Sequence, residues 1–362
     1  MLQKAVFPGK YIQGRGAIQE LPKLVRLFGA KGLVLASPSA CDRILPSSGL
    51  DMDAAGVEVE RFHGECCEQE LARVAQCIAS LGADVLVGMG GGKTIDTAKI
   101  AADRAGIPVI VVPTIASTDA PCSGCAVLYT EDGVFQTVYY QKTNPAVVLM
   151  DVSIIANAPP RFLVSGMGDA LATWFEARSC ERTQSLNECG GLGVMLGLHI
   201  AKLCYDTLLT YGPAARIACE RRVVTPALEH IIEANTLLSG LGFESAGLAA
   251  AHAIHNGLTA LPQTHAYYHG EKVAFGTLAG LHMTDANPEE IEAVYGFCET
   301  VGLPTTLADI GLDGADPGVL QPAADKTCDQ GQSICHEAGD ITPEQVLDAM
   351  LMADAYGRNR CP

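Results

Sequence analysis

The chain has 362 residues, 48% of them hydrophobic and 18% charged, and a formal net charge of −17. That length exceeds one ordinary core and suits two domains, with apolar material enough for both. The negative balance disfavours nucleic acid and anionic lipid as partners, because both carry the same sign.

The first residues, MLQKAVFPGKYIQG, place a proline and two glycines where a secretory segment needs an unbroken apolar run. No stretch of about 18 apolar residues occurs, so no membrane span is expected. The 14 cysteines are scattered and read as reduced, mostly buried thiols. The expected compartment is therefore cytoplasmic.

In chain order, KGLVLAS (31–37), VEVERF (57–62), ADVLVGMG (83–90) and IPVIVVPT (107–114) read as strands. Three are continuous apolar runs, as in strands buried on both faces of a parallel sheet. Helical patterns over 68–82 and 94–106 separate them, which is the βαβ signature. A hairpin is expected over 126–140, turning at Asp132-Gly133, and VVLMD (147–151) is one more strand. Beyond about residue 160 the strand-like runs stop. Helical patterns then cover 161–182, 190–210, 213–239, 245–260, 271–286, 288–301 and 342–356. The expected boundary lies near residues 155–162, dividing an α/β domain with a parallel sheet (1–160) from an all-helical domain (161–362).

ADVLVGMGGGKTIDTAK is a strand, a glycine turn and a helix starting near Thr94. Gly88, Gly90, Gly91 and Gly92 let the backbone turn sharply and approach a ligand. A helix N-terminus beside them favours a pyrophosphate. The alternative is a plain βα turn that needs positive φ angles. The spacing is neither G-x-G-x-x-G nor a full phosphate-binding G-x-x-x-x-G-K loop, although Lys93 follows the glycines. The next loop, VPTIASTDAPCSGC, gathers Thr114, Ser117, Thr118, Asp119 and Ser123 after another buried strand. That is the sheet edge where open α/β folds bind ligands. Cys122 and Cys125 form a lone C-x-x-C and read as incidental thiols.

His252, His255, His265 and His269 cluster within 18 residues. On the apolar helix SAGLAAAHAIHNGLTAL, His252, His255, Asn256 and Thr259 share one stripe, which must face water or a site. Asp169 lies inside RFLVSGMGDALATWFEAR, flanked by the small residues Ser165, Gly166, Ala172 and Thr173. Leu163, Leu171, Trp174 and Phe175 fall on the face expected to pack the core. A buried carboxylate there needs a metal, an arginine or a helix N-terminus. One carboxylate with two or three imidazoles suits a catalytic metal with an open position, and both Zn²⁺ and Fe²⁺ accept such ligands.

GMGGGKTIDTAK, PTIASTDAPCS, GMGDALATWFEAR, GLAAAHAIHNGLTA and HGEKVAFGTL resemble the bacterial glycerol dehydrogenases of the iron- or zinc-dependent alcohol dehydrogenase superfamily. The resemblance covers nearly the whole chain. It implies a Rossmann-like N-terminal domain binding NAD, an all-helical C-terminal domain holding one divalent metal ion, Zn²⁺ before Fe²⁺, and an active site in the cleft between them. The metal ligands match Asp169, His252 and His269, which leaves His255 and His265 as supporting residues. The cofactor positions match Gly92, Lys93, Thr114, Ser117, Ser123 and Tyr129, with Gly90, Gly91 and Asp96 in the same turn. Asp119 matches the position that contacts the polyol, so it joins Asp169, His252 and His269 as the catalytic and substrate-binding set. The implied reaction interconverts glycerol and dihydroxyacetone by hydride transfer between C2 and the nicotinamide, with His255 relaying a proton, in a homo-oligomer, often an octamer. Two positions depart from the pattern. Ser37 replaces the aspartate that binds the adenosine ribose, and Cys125 replaces a larger apolar residue beside the cofactor. Rival readings are a glycerol-1-phosphate dehydrogenase, another vicinal-diol dehydrogenase, a lyase of the dehydroquinate synthase type, and a non-catalytic sensor. A phosphate substrate finds no basic cluster in these motifs.

Overall fold

The computed structural model describes residues 1–52, 56–284 and 286–360. The chain forms two compact units. One comprises Val6–Pro159 with Ala218–Leu237; the other comprises Met1–Ala5, Pro160–Ile217 and Leu238–Pro362.

The first unit is built on strands β1 (Tyr11–Gly14), β2 (Gly32–Ala36), β3 (Val57–Arg61), β4 (Val85–Gly90), β5 (Val109–Pro113), β6 (Cys125–Tyr129), β7 (Phe135–Tyr140) and β8 (Val147–Asp151). Six of them form one sheet in the order β1-β8-β5-β4-β2-β3, parallel throughout. Every residue of β2, β4, β5 and β8 is buried, because helices cover both faces of a parallel sheet. Edge strand β3 instead exposes Glu58, Val59 and Arg61. The other edge strand, β1, has no sequence signal: four half-buried residues give neither an apolar run nor alternation. β6 and β7 make the antiparallel hairpin, with Gly133 at φ 78° in its turn. The chain runs outward from β2 to β3, returns to β4, and then proceeds the other way to β5. The crevice between β2 and β4 is thus the topological switch point, where such sheets bind ligands.

The second unit is helical. Helix Met195–Glu220 continues through Pro213 where a break was expected between 210 and 213. Ala201, Cys204 and Leu208 on one side of the proline and Ala215 on the other are fully buried. Their packing outweighs the roughly 3 kcal/mol of an interior proline. The single helix expected over 213–239 does not form. The chain turns at Arg222, φ 55°, and restarts at Pro226, where the Thr225 hydroxyl accepts the Leu228 amide at 3.3 Å. Helix Pro317–Thr327 was not expected. Its Asp316 cap and leading proline start it, but its polar composition hides the apolar face. The helix expected over 245–260 is confined to Ala250–Leu258. It is cut by Gly247 at φ 111°, whose Cβ would lie 2.7 Å from Cys180 Sγ.

Two long helices, Pro160–Thr183 and His269–Met283, cross at van der Waals contact of their backbones. A Cβ on Gly270 would lie 1.8 Å from the Ser165 carbonyl oxygen, and one on Gly168 would lie 2.3 Å from that of Gly270. Ala172, Ala251 and Val273 fill the adjoining core. Gly270→Ala should therefore destabilise the chain by about 1–3 kcal/mol or more. Gly296→Ala, in helix Pro288–Val301 with nothing within 4 Å of its Cβ, should stabilise it by up to about 1 kcal/mol. Denaturant midpoints of the two variants measure both effects.

Candidate metal centre and nucleotide-binding edge

Asp169 sits in the middle of helix Pro160–Thr183, so it is no helix cap, and it is fully buried. Its Oδ1 lies 3.0 Å from His269 Nε2 and 3.4 Å from His252 Nε2. Among the described residues these three form the one group able to hold a metal ion, their ligand atoms all within 4.8 Å of one another. His252 comes from helix Ala250–Leu258, and His269 opens helix His269–Met283.

Each imidazole is held from behind. Glu176, two helical turns along from Asp169, is buried. Its Oε1 accepts the Ala249 and His252 amides, both at 2.9 Å, and its Oε2 pairs with His252 Nδ1 at 2.6 Å. A proton on Nδ1 leaves the Nε2 lone pair facing Asp169, which is the tautomer a metal ligand needs. His269 Nδ1 pairs with His255 Nε2 at 3.1 Å, and His255 Nδ1 with Asn256 Oδ1 at 3.0 Å. His255 therefore supports His269 instead of joining the cluster. His265 is exposed on the following turn, bonded to the Thr259 carbonyl at 3.1 Å, and has no part in the site.

Burial and charge pull on these groups in opposite directions. Burial alone would raise the Asp169 carboxyl, but His269 and His252 hold it well below the usual carboxylate range. Burial would likewise lower His252, yet Glu176 and Asp169 hold it well above its ordinary value. Burial, with neighbouring positive groups, keeps His255 well below its ordinary value. Two carboxylates around one imidazole carry more negative charge than two neutral rings balance, and a divalent cation between Asp169, His252 and His269 would restore neutrality.

In the sheet unit, the loops after β2, β4 and β5 meet at one edge. The Ser37 amide donates to Met89 O at 2.8 Å and the Thr114 amide to Gly90 O at 2.9 Å. The helix after β4 opens at Gly92, with Gly91 as its cap, two residues ahead of the expected Thr94. Gly88, Gly90, Gly91 and Gly92 have no positive φ, so turn geometry does not require glycine at these positions, whereas close approach does at Gly88 and Gly90. A Cβ on Gly88 would lie 2.6 Å from Ala98 Cβ, and one on Gly90 would lie 2.8 Å from Thr94 Cβ and 2.9 Å from Ser37 Cβ. At Gly92 a Cβ would meet nothing within 4 Å. The amides of residues 92–94 precede the first intrahelical bond, Ile95 N–H to Gly91 O, and with the helix dipole they suit a pyrophosphate.

Lys93 Nζ lies 2.6 Å from Glu65 Oε2 and 5.0 Å over the Tyr129 ring. Asp96 is buried, with one oxygen accepting the Val127 amide at 3.1 Å and the other without a hydrogen-bond partner. Desolvation pushes its carboxyl up to about 6, against the pull of Lys99. Ser123 Oγ and Cys125 Sγ are 3.2 Å apart, and neither Cys122 nor Cys125 is in a disulfide. Asp119 is buried in the loop after β5, one residue before a short 3₁₀ turn, and Ser117 precedes it there.

Sequence reasoning passed over Glu176 and Lys99. Glu176 lies seven residues beyond Asp169, so a second acid on the same stripe of an apolar helix was its signal. Lys99 is fully buried and donates to Cys125 O, to Ala120 O at 2.9 Å and to Ser123 Oγ at 3.4 Å. A lysine amid alanines and isoleucines, three residues after Asp96, marked it.

Residues 8–152 match the model of iron-containing alcohol dehydrogenase. The glycerol dehydrogenase of Thermotoga maritima is 51% identical to this chain, over 99% of each. The chain belongs to the iron-containing alcohol dehydrogenase family. Within that family it groups with the glycerol dehydrogenases. The crystal structure of a probable glycerol dehydrogenase from Sinorhizobium meliloti 1021 is 46% identical and superposes with a TM-score of 0.93, covering 99% of this chain and 100% of that one. A glycolaldehyde reductase of Halobacterium salinarum is 41% identical over 97% of each chain. The parallel sheet and the helical unit agree with the fold of these relatives.

Glu176→Gln should weaken divalent-metal binding by about 10–100-fold, because the amide no longer fixes the His252 tautomer with a charge. Competition against a chelating dye on the purified chain reads this directly.

Proposed function

We propose that the chain is an NAD-dependent glycerol dehydrogenase that holds one divalent ion, Zn²⁺ or else Fe²⁺, on Asp169, His252 and His269. The observation that carries this reading is the buried carboxylate facing two imidazoles whose outer nitrogens are already engaged. The bound cation supplies Lewis acidity, which lowers the pKa of a hydroxyl beside it. Glu176 keeps the proton on His252 Nδ1, and His255 keeps the one on His269 Nδ1. The amides after Gly91 bind the cofactor pyrophosphate, and Lys93, Asp96, Thr114, Ser117, Ser123, Cys125 and Tyr129 line its path. Asp119 accepts a terminal hydroxyl of the substrate and so selects vicinal diols.

Glycolaldehyde reduction is a second reading, favoured by the Halobacterium relative. Its product is also a vicinal diol, so the same residues serve it. No single helix among the described residues is long and apolar enough to cross a membrane. We place the enzyme in the cytoplasm as a homo-oligomer. The exposed Met195, Leu196, Leu203 and Ile217 of one helix form the surface that another copy would cover.

Absorbance of NADH formed from glycerol tests the activity, and no signal with Zn²⁺ or Fe²⁺ present would refute it. His252→Ala should lose both stoichiometric metal and turnover while its circular dichroism stays native; retained turnover in metal-free protein would remove the ligand role. Asp119→Asn should raise KM for glycerol by about 10-fold or more, as loss of a charged hydrogen bond does, with a smaller effect on simple alcohols. An equal effect on both would remove its part in specificity.

A further inference from the structure

The dinucleotide reading leaves open which ribose the switch point accepts. In a doubly wound sheet the adenosine ribose lies at the end of the strand beside the glycine turn, where an acid binds its hydroxyls and repels a 2′-phosphate. Here that strand is β2, and the residue after it is Ser37. Its Cβ is the group that a Cβ on Gly90 would meet at 2.9 Å, which places it against the glycine turn. Its hydroxyl lies 3.2 Å from that of Ser39. Neither side chain carries charge.

The neighbouring strand supplies a cation. Arg61 ends β3 directly opposite Ala36 in the parallel register, and the next amide, Phe62, donates to Ala36 O at 2.8 Å. The Arg61 guanidinium is held by Asp42 through two bonds, of 2.8 and 2.7 Å. Its side chain is 46% exposed, so it is fixed at the edge yet reachable from solvent. A guanidinium has five donors, and these two bonds leave others for a second anion. Arginine's planar fork suits phosphate as it suits carboxylate. Asp42 is 60% exposed; it orients the cation and also opposes an incoming anion.

We propose that the β2–β3 edge is a 2′-phosphate subsite, in which Arg61 with the Ser37 and Ser39 hydroxyls lets this chain bind NADP(H) as well as NAD(H). The subsite rests on the reading of the carboxyl edge as a dinucleotide site. Ser37 withholds the repulsion, Arg61 provides the attraction, and Asp42 limits its strength.

Calorimetric titration of the purified full chain with 5′-ADP and 2′,5′-ADP, which differ only in that phosphate, tests the subsite without turnover. The expected result is that 2′,5′-ADP binds the unaltered chain within about 10-fold of 5′-ADP. Arg61→Gln should weaken 2′,5′-ADP relative to 5′-ADP by about 10-fold or more, the usual loss of a charge-assisted hydrogen bond. Ser37→Asp should do the same through repulsion, and Asp42→Asn should shift the ratio the other way. If Arg61→Gln weakens both nucleotides equally, or the unaltered chain binds 5′-ADP but not 2′,5′-ADP, the subsite is refuted and the dinucleotide reading stands. If neither nucleotide binds, both fall together.

Discussion

A carboxylate without access to water is tolerated only when positive charge or hydrogen-bond donors meet it. Asp169 is such a group, and much of the helical unit is arranged to satisfy it. The helix that carries it crosses helix His269–Met283 so closely that only glycine fits at Gly168 and Gly270. That crossing brings His269 to Asp169. Glu176, on the same helical stripe, accepts the Ala249 and His252 amides at the start of helix Ala250–Leu258 and pairs with His252 Nδ1. One helix therefore carries both a candidate ligand, Asp169, and the carboxylate that holds a second candidate, His252, in place.

Under the proposed function the sheet unit faces a different problem, that of holding an anion without an obvious basic pocket on a chain of net charge −17. Backbone groups are the ones placed to do so. Amides at the start of the helix after β4 carry the positive end of the dipole, and glycine keeps side chains out of the way. The buried Lys99 does not offer its charge outward. It fastens the loop after β5 from beneath by its carbonyl oxygens, which fixes the place of Ser123 and the turn beginning at Asp119.

The parallel sheet was legible because strands buried on both faces leave continuous apolar runs. Edge strand β1 was not, because a half-buried edge leaves no such mark. Helix ends in the second unit were read less well, and Pro213 shows why. Local propensity argued for a break, while the burial of Ala201, Leu208 and Ala215 on both sides of the proline is a tertiary effect invisible in a short window. The same distinction holds at the site. Residue types and spacing narrowed the ligands to Asp169 and four histidines, and resemblance to a family chose among them. That His255 backs His269 while His265 turns away depends on a short turn at Pro262–Thr264 that periodicity does not reveal.

If Asp169, His252 and His269 share one cation, X-ray absorption at the metal edge of the zinc- or iron-loaded chain will show it. The expected first shell holds nitrogen and oxygen only, including two imidazoles and one carboxylate oxygen at about 2.0–2.2 Å. A shell containing sulfur, or one that persists unchanged in His252→Ala, would contradict it.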